Sequence, residues 1–456
     1  MISFVSPSRC HTHLCSLIGT VALALSGCGS DVDDSKSQVP SDEVGVNSDA
    51  VSGGSSVTRV GVVAFVRQRS GWNDECSGVL LNRYSILTAA HCFPDMQGGQ
   101  TQRVTASVVY KQPSGTLVCL TRGGVNTPAG SNPQCVTGGS YDVSTYPGWV
   151  ATSTDAAHDL AVMRSVDIFA GVTPADYALI DADAGLSEDG RLEFYGYGPS
   201  AQNGTGSGVL RVGAGEIDAV NPQHVNLVGG GARSCEGDSG GPASIYFSQT
   251  SPYLLVEGVA SSAQFANKTD QCAESGGLER YSRVGTKMDF ITSKIGFNCP
   301  TVYYSKAGRN VRRCYAPPQA FWSRANAKWV QASNAGNGPL IAAATQVGQW
   351  ETFEVLTNSD GSTSLVAFND KLVTAENAGA SSLIPRAIQI GDWEKFWNAP
   401  LSIDGFSGSS LRAQINGRYV AAEDAGASPL IARTSGAPSY WEQFFFEFIG
   451  DPTGAP

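Results

Sequence analysis

Charged side chains are scarce in this chain: Asp, Glu, Lys and Arg make up 16% of its 456 residues, whereas 53 residues are glycine. The 30 Lys and Arg residues are outnumbered by 41 Asp and Glu residues, which gives a formal net charge of −11. No basic run offsets this balance. Because binding to nucleic acid requires a basic surface, nucleic acid is excluded as a partner. A glycine-rich, charge-poor composition instead favours an all-β fold with many loops.

A long apolar run is also missing near the N-terminus. The segment LCSLIGTVALAL at 14–25 falls short of the roughly 20 residues that span a bilayer, but with Arg9 before it the segment fits a secretion signal. It ends in LSGC, which resembles the lipobox of bacterial lipoproteins, so residues 1–28 form a signal whose Cys28 is lipidated. Because Gly29 follows Cys28, the resemblance favours the outer membrane as the location of the lipidated protein. An ordinary secretion signal, giving a secreted protein, is the alternative.

Residues 29–50 are polar, acidic and rich in serine, which predicts a disordered tether or pro-segment. Of the 11 cysteines, Cys10 and Cys15 leave with the signal and Cys28 carries lipid. An even number then remains, as is typical of disulfides in an exported chain. No CxxC pair or Cys/His cluster indicates zinc, and no other cofactor is indicated. The remaining cysteines are Cys76, Cys92, Cys119, Cys135, Cys235, Cys272, Cys299 and Cys314.

The stretch SCEGDSGGP at 234–242 contains too much glycine for a helix or a regular strand. It places Ser239 in a tight turn, and a serine hydroxyl is a weak nucleophile that needs a base. Beyond the signal, His91 has the most conspicuous context, because it follows the apolar, β-prone run SILTAA. The small residues before His91 leave room around its ring. A histidine that is only a core or surface residue is the alternative.

A carboxylate candidate lies between these two residues in the sequence. Asp159 leads directly into the apolar stretch LAVM, as a desolvated acid that holds an imidazole would, although a turn acid is the alternative. His91, Asp159 and Ser239 follow the chain order of the triad in chymotrypsin-like proteases. LTAAHC and GDSGGP resemble the signature stretches of the trypsin/chymotrypsin family, and HDLAVM resembles its Asp segment. The resemblance covers about residues 51–297 and implies a double β-barrel.

The resemblance implies a serine endopeptidase that hydrolyses polypeptides through an acyl-enzyme. His91 would act as general base and then as general acid, and Asp159 would fix its tautomer. The backbone N–H groups of Gly237 and Ser239 would form the oxyanion hole. Together with proximity in the sequence, the resemblance also implies disulfides between consecutive cysteines: Cys76–Cys92, Cys119–Cys135, Cys235–Cys272 and Cys299–Cys314.

The resemblance further implies activation by proteolysis. In the family, the acid before the nucleophile, here Asp238, pairs with a newly cut N-terminal ammonium. VSGG from Val51 resembles the family's start, so the protein is a candidate zymogen with Val51 as its new N-terminus. Asp49 and Ala50 precede Val51 where a Lys or Arg is expected, so a trypsin-like activator would not cut there. Cutting at Val51 would also release the protease from its lipid anchor.

Substrate-binding residues follow from the same resemblance. Arg233 takes the place at the base of the specificity pocket where trypsin-like enzymes carry Asp, so cleavage after Lys or Arg is not expected. Three alternatives stay open: Arg233 binds an acidic side chain, Glu279 neutralises it and leaves a pocket for small or apolar groups, or it points into solvent. Ser261 matches the family's serine beside the catalytic acid. Ser261, Ser262 and Ala263 would pair with substrate as an edge strand.

After Cys314 the cysteines end and a motif repeats three times, starting at Lys328, Lys371 and Arg418, with spacings of 43 and 47–48 residues. This repetition, with Gly/Asn turns, predicts a β-trefoil over 321–450, after a disulfide-closed linker at 298–320. The aromatics of a recurring Trp-Glu-x-Phe segment are predicted to fill its core. The shared anchors are Val330, Val373 and Val420, Gly336, Gly379 and Gly426, Leu340, Leu383 and Leu430, and Trp350, Trp393 and Trp441.

The repeats resemble fascin-like β-trefoils more than ricin-type ones, whose Gln-x-Trp signature is absent. The resemblance implies that this domain binds a glycan or a surface partner between its repeated glycine turns, and membrane contact is expected only through the lipid anchor. Two other classes of function stay open. One is a non-catalytic binding protein on a protease scaffold, and the other is a trefoil lectin whose protease domain serves only processing.

Overall fold

The computed structural model describes residues 51–449, apart from short gaps at 52–53, 58–60, 70–71, 122–123, 127–131, 152–155, 183–184, 187–189, 229–230, 246–252, 268–269 and 306. The predicted signal at 1–28, with Cys28, and the predicted tether at 29–50 lie outside the described residues.

The described residues are almost entirely β-structure, as the composition predicts. The first ten strands are Ser55–Ser56 (β1), Val62–Arg69 (β2), Trp72–Asn82 (β3), Ser85–Thr88 (β4), Thr101–Lys111 (β5), Leu117–Cys119 (β6), Val125–Asn126 (β7), Gln134–Cys135 (β8), Gly139–Thr145 (β9) and Ala161–Ser165 (β10). The next nine are Leu179–Asp181 (β11), Arg191–Gly196 (β12), Arg211–Val220 (β13), His224–Val228 (β14), Pro242–Ile245 (β15), Leu255–Ala263 (β16), Glu279–Arg283 (β17), Thr301–Tyr304 (β18) and Arg309–Arg313 (β19).

Two closed barrels of six antiparallel strands form the first part of the fold. In the first barrel the pairing runs β2-β3-β4-β10-β9-β5 and closes from β5 back to β2, with β6 added outside β5. In the second it runs β12-β13-β14-β17-β16-β15 and closes from β15 to β12. On β2, Val63 and Phe65 are fully buried in the first barrel's core. The two barrels are consistent with the predicted chymotrypsin-like fold.

The segment predicted as a linker also contributes to the second sheet. The hairpin β18–β19, which the Cys299–Cys314 disulfide closes, pairs antiparallel with β11, and β11 runs parallel to β16. Short helices complete the region: the α-helix Met288–Ile295 (α1) and the 3-10 helices Ala90–Cys92, Ala156–His158, Pro174–Asp176 and Gly285–Lys287.

The C-terminal part contains a twelve-stranded antiparallel sheet. Its strands are Gln319–Ser323 (β20), Lys328–Ala332 (β21), Leu340–Ala344 (β22), Glu354–Thr357 (β23), Thr363–Val366 (β24), Leu372–Ala375 (β25), Leu383–Ala387 (β26), Phe396–Ile403 (β27), Phe406–Ala413 (β28), Tyr419–Ala422 (β29), Leu430–Thr434 (β30) and Phe444–Phe448 (β31). The 3-10 helix Asp424–Gly426 follows β29.

Six of these strands run around a nearly closed barrel in the order β23-β24-β27-β28-β31-β20. Gln319 at the start of β20 and Phe353 beside β23 exchange backbone hydrogen bonds of 2.8 Å, which narrows the remaining gap. The other strands form three hairpins, β21–β22, β25–β26 and β29–β30. Each predicted repeat therefore supplies one hairpin. The first two repeats each supply two barrel strands, and the third supplies β31, which pairs with β20 ahead of the first repeat.

The phenylalanines of the repeated segments fill the C-terminal core, but the tryptophans do not. Phe353, Phe396 and Phe444 are fully buried. The prediction that the tryptophans also lie in the core is wrong, because Trp350 is 38% exposed and Trp393 and Trp441 are only half-buried. The glutamate after each tryptophan is buried instead and accepts a backbone hydrogen bond that closes the turn; these bonds join Glu351 to Gly348, Glu394 to Gly391 and Glu442 to Ser439.

The three repeats contact one another through their glycine turns. Each turn glycine has a positive φ and lies so close to an asparagine of the following repeat that an added Cβ would come within 2.8 Å of it. Only glycine combines this backbone conformation with this close approach. The third repeat contacts the first, so the contacts form a ring: Gly336 with Asn369, Gly379 with Asn416, and Gly426 with Asn326.

A buried group of charges attaches the C-terminal part to the first barrel. Arg83, between β3 and β4, donates to Glu354 at 2.5 Å and to Asp370 at 2.7 Å. Glu354 also accepts the Tyr177 hydroxyl at 3.0 Å. Although burial alone would lower the pKa of the Arg83 guanidinium, the neighbouring charges of Glu354 and Asp370 raise it. Tyr84 and apolar residues of both parts form a small core around this group.

Four disulfides join consecutive cysteines, in the pairing that the sequence predicts: Cys76–Cys92, Cys119–Cys135, Cys235–Cys272 and Cys299–Cys314. They are consistent with an extracellular protein. Within the described residues, no helix has both the length and the apolar character required to cross a bilayer.

Candidate active site

His91 lies at the end of a fully buried strand. Ser85–Thr88 (β4) pairs between β3 and β10, and the buried Ala89 and Ala90 lead from it into the short 3-10 helix that contains His91. The Cys76–Cys92 disulfide fixes the residue after His91 to β3. The backbone of His91 is therefore held in place, while its side chain is 33% exposed and reaches the surface.

Asp159 holds the His91 ring from behind. One of its carboxylate oxygens accepts the backbone N–H of His91 at 2.8 Å, and the other lies 2.7 Å from His91 Nδ1 and accepts the Ser261 hydroxyl at 2.6 Å. Burial alone would raise the pKa of Asp159, but the charge of His91 and these hydrogen bonds lower it. Burial likewise opposes protonation of His91, whereas Asp159 raises its pKa above the usual value. The arrangement fixes a hydrogen on Nδ1 and leaves Nε2 to face the cleft.

The turn that carries Ser239 requires glycine at two positions. Gly237 has a φ of +93° and Gly240 a φ of +78°, conformations that other residues rarely adopt. An added Cβ at Gly240 would lie 2.0 Å from Oγ1 of Thr88, at the end of β4. The backbone also joins these elements, because the Ser77 N–H donates to the Ser239 carbonyl at 2.8 Å. The close packing of this turn against β4 brings Ser239 beside the His91 segment.

Ser239 and His91 line the same two cavities. The first, of about 290 Å³, is lined on its other side by Ser261, Ser262 and Ala263 at the end of β16. The second, of about 480 Å³, extends over the Cys76–Cys92 disulfide. No hydrogen bond joins the Ser239 hydroxyl to the imidazole in the described part of the chain. Bonds of this kind are often long in an unliganded site and shorten when substrate binds.

Two backbone donors next to Ser239 are available to a ligand. The N–H groups of Gly237 and Ser239 make no hydrogen bond to any other described residue, whereas the N–H groups of Asp238, Gly240 and Gly241 are bonded to carbonyls. Gly237 also lines the second cavity. A developing oxyanion could therefore be bound there without first breaking a hydrogen bond of the protein.

Arg233 lies outside the first cavity, unlike the pocket-base position that the resemblance implies. Its guanidinium donates to the Ala273 carbonyl at 3.0 Å. Glu279 is buried behind the cavity floor, where it accepts the Ser234 N–H at 2.7 Å and the Tyr281 hydroxyl at 3.0 Å. Burial raises the pKa of Glu279, and the positive charge of Arg233 partly offsets this. Sequence reasoning therefore named two charged residues that lie behind the wall of the cavity.

Arg280 is the charged residue on the cavity wall that sequence reasoning missed. It lies in β17, where its backbone pairs opposite Ser262, and its half-buried side chain lines the first cavity. The alternation of side chains along a strand would have placed Arg280 on the opposite face from Glu279, had the register of β17 been known.

Val51 and Asp238 are both buried below the serine turn. Val51 packs among apolar residues that include Phe194. Both oxygens of Asp238 accept backbone N–H groups, from Gly198 and from Cys235, at 2.8 Å each. Burial raises the pKa of Asp238 to about 7, and the hydrogen bonds and the charge of Arg211 only partly counter this. Asp238 is thus a buried carboxyl group that lacks a close cation among the described residues.

One group of possible metal ligands lies at this site. Side-chain atoms of Cys76, His91 and Cys92 lie within 4.8 Å of one another. Metal binding by cysteine requires thiolates, and both sulfur atoms are joined in a disulfide. The group therefore does not fit a metal.

Two barrels, with a His–Asp pair and a serine turn at the same cavities, define the class of serine peptidases. The sequence model of the family described as Trypsin matches residues 51–284, just over half of the chain. The chain belongs to the trypsin family. It is a trypsin-like serine protease, whose substrate class is a polypeptide.

Two solved structures are similar to parts of the chain. Neuropsin, a serine protease expressed in the limbic system of mouse brain, is 16% identical, with a TM-score of 0.38; the match covers 53% of this chain and 98% of that chain. A designed threefold-symmetric protein, ThreeFoil, is 22% identical, with a TM-score of 0.26; the match covers 28% of this chain and 96% of that chain. No curated protein matches the chain.

Proposed function

We propose that the protein is an exported serine endopeptidase in which Ser239, His91 and Asp159 form the catalytic triad. His91 Nε2 removes the hydroxyl proton as Ser239 Oγ attacks the substrate carbonyl, and the N–H groups of Gly237 and Ser239 bind the oxyanion. The imidazolium then gives its proton to the leaving amine, and water hydrolyses the acyl-enzyme by the same steps. The observation that carries this proposal is the Asp159–His91 pair beside Ser239 on the same cavity walls.

A fluorophosphonate probe tests this function directly. The probe bonds covalently only to an activated serine, so the protein cut before Val51 is expected to be labelled and its Ser239→Ala variant is not. Ser140→Ala is the matched control, because Ser140 is an exposed serine on β9 that lines neither cavity. Equal labelling of the protein and its Ser239→Ala variant, or no labelling of either, would favour a binding protein on a protease scaffold.

Activation at Val51 is part of the proposal. Both oxygens of Asp238 are satisfied only by neutral N–H donors, so its ionised form is disfavoured in the uncut chain. A cut before Val51 would create an α-ammonium on a residue that is already buried beside Phe194. That ammonium would supply the cation that Asp238 lacks. The cut would also separate the protease from its lipidated tether.

Activation predicts a pH-dependent gain in stability. Because the pKa of Asp238 is raised, the folded uncut chain binds a proton that the unfolded chain releases. The contribution of this proton to the stability of the uncut chain is lost as pH rises from about 4 to about 7. The comparison uses a Ser239→Ala background with an engineered cleavage site before Val51. The free energy of unfolding of the cut form should exceed that of the uncut form by little at about pH 4.5 and by up to about 4 kcal/mol at about pH 7.5. Urea unfolding at both pH values measures this gain. A gain of equal size at both pH values would contradict the proposed ion pair.

We further propose that the residue before the scissile bond is neutral and small or apolar. The positive charge of Arg233 acts on Glu279, and both residues line a separate small cavity instead of the first one. A peptide-library profile should therefore show cleavage after Ala, Val or Ser at least about tenfold faster than after Lys or Arg. A profile dominated by Asp or Glu would contradict this. Arg280→Ala and Arg233→Ala would then show which arginine binds the acid.

The C-terminal domain is proposed to be a fascin-like β-trefoil over about 321–450 that binds a glycan or a surface partner. Support comes from the nearly closed six-stranded barrel, the three hairpins and the ring of glycine–asparagine contacts. The tether, with a lipid on Cys28, would hold the protein at the outer membrane until the cut at Val51. Binding of the full-chain Ser239→Ala protein to a glycan array and to intact cells tests the binding role.

A further inference from the structure

The second cavity differs sharply in charge from the first. Its described walls carry the carboxyl groups of Asp74, Glu75 and Glu236, and they include no Lys or Arg. The first cavity carries the cation of Arg280 in addition to Glu236. A substrate that crosses both cavities therefore passes from a wall that includes Arg280 to one on which every described Asp, Glu, Lys or Arg residue is an acid.

The position of the edge strand shows which part of a substrate meets the acidic wall. Ser261, Ser262 and Ala263 line the first cavity and not the second. A polypeptide that pairs with this strand up to its scissile carbonyl must continue past Ser239 in the same direction, at roughly 3.3 Å per residue. It then enters the second cavity, over the Cys76–Cys92 disulfide. The second cavity therefore receives the leaving-group side of the substrate, and we call it the leaving-group pocket.

The negative charge of Glu75 is only partly compensated. Glu75 is half-buried on β3, and one of its oxygens accepts the Asn132 amide at 2.9 Å. Burial raises the pKa of Glu75 despite that hydrogen bond, which means that its charge is poorly solvated. A substrate cation would improve the environment of this carboxylate.

We propose that Asp74, Glu75 and Glu236 select substrates with Lys or Arg among the first three residues after the scissile bond. This inference rests on the proposed peptidase function and adds the class of substrate. Long basic side chains suit the pocket because their aliphatic stems can lie along the disulfide while their charged ends reach the carboxylates. Acidic residues in the same positions are repelled.

Three series of quenched-fluorescent peptides test the proposal. Peptides that are identical up to the scissile bond carry Lys, Gln or Glu at the first, second or third following position, and kcat/KM is measured with the cut protein. We expect the order Lys, Gln, Glu in at least one position, with a ratio of Lys to Glu of about tenfold at low salt. The ratio should shrink toward one at about 0.5 M NaCl, because partly exposed charges are screened.

Variants identify the residues responsible. Glu75→Gln, and Asp74→Asn combined with it, should each reduce the ratio of Lys to Glu by several-fold. Glu216→Gln is the matched control, because Glu216 is an exposed glutamate on β13 that lines neither cavity, and it should leave the ratio unchanged. A wild-type ratio near one, or a ratio that survives both substitutions, would overturn the inference while the peptidase function stands. Failure of the cut protein to hydrolyse any peptide would instead overturn the proposed function.

Discussion

Replacing Ser239 with alanine should lower kcat for peptide hydrolysis by about 10⁵–10⁶-fold, with little change in KM. In the proposed mechanism the hydroxyl forms the covalent bond, whereas the substitution leaves the strand and cavities proposed to bind the peptide unchanged. His91→Ala should cost a similar factor, because the serine is then not deprotonated. Initial rates on a neutral peptide, after the cut before Val51, provide the measurement. Far-UV circular dichroism confirms that each variant is folded.

The proposed triad also predicts how the losses of kcat combine in a double variant. Asp159→Asn should reduce kcat by about 10⁴-fold, because an amide in place of the carboxylate favours the wrong tautomer of His91. The double variant Ser239→Ala with His91→Ala should be about as impaired as either single variant, since the groups act in one step. Losses that multiply, or a Ser239→Ala protein that keeps a substantial rate, would show that the reaction proceeds elsewhere.

Replacing Arg83 with methionine should destabilise the protein by about 3–5 kcal/mol, the largest effect expected outside the active site. The side chains of Arg83 and Glu354 are each only 5% exposed, so the substitution leaves a buried carboxylate without its cation. The free energy of unfolding in urea, measured in the Ser239→Ala background near pH 7.5, tests this. Combining Arg83→Met with Glu354→Gln should cost less than the sum of the two single changes, because the second removes the uncompensated charge.

An exposed ion pair of the same chemistry is the control. Arg103 and Asp142 form a salt bridge between β5 and β9, with side chains that are 59% and 41% exposed. Because water solvates both charges, Arg103→Met should change the unfolding free energy far less than Arg83→Met. Equal effects of the two substitutions would mean that the buried charge does not set the cost.

The Arg83–Glu354 ion pair limits how the two parts can be studied separately. A protein that ends before residue 320 would expose Arg83 and the small core around Tyr84, which the C-terminal part covers in the intact chain. Loss of peptidase activity on truncation would therefore not show that the C-terminal domain takes part in catalysis. Variants of the full chain give the clearer answer.

The sequence predicted the features that depend on short segments. The serine turn needs glycine at two positions, and the run before His91 is apolar, so both are visible as motifs. The all-β class with two barrels is confirmed, whereas the catalytic roles stay predictions. Arg280 and the Arg83–Glu354 pair were missed, since the first depends on the register of β17 and the second joins residues 271 positions apart. The repeated tryptophans were misplaced, because one motif contains both a core aromatic and a half-exposed one.

The pairing of β20 with β31 has a consequence for how this domain can be combined with others. Gln319 pairs opposite Phe448, so the chain enters and leaves the C-terminal domain at neighbouring points. Adjacent ends of this kind tolerate circular permutation and insertion into a host loop. The ring of glycine–asparagine contacts would survive a new pair of ends between any two repeats, as long as all three repeats are kept. The domain can therefore begin and end between any two repeats, but it cannot lose a single repeat and remain closed.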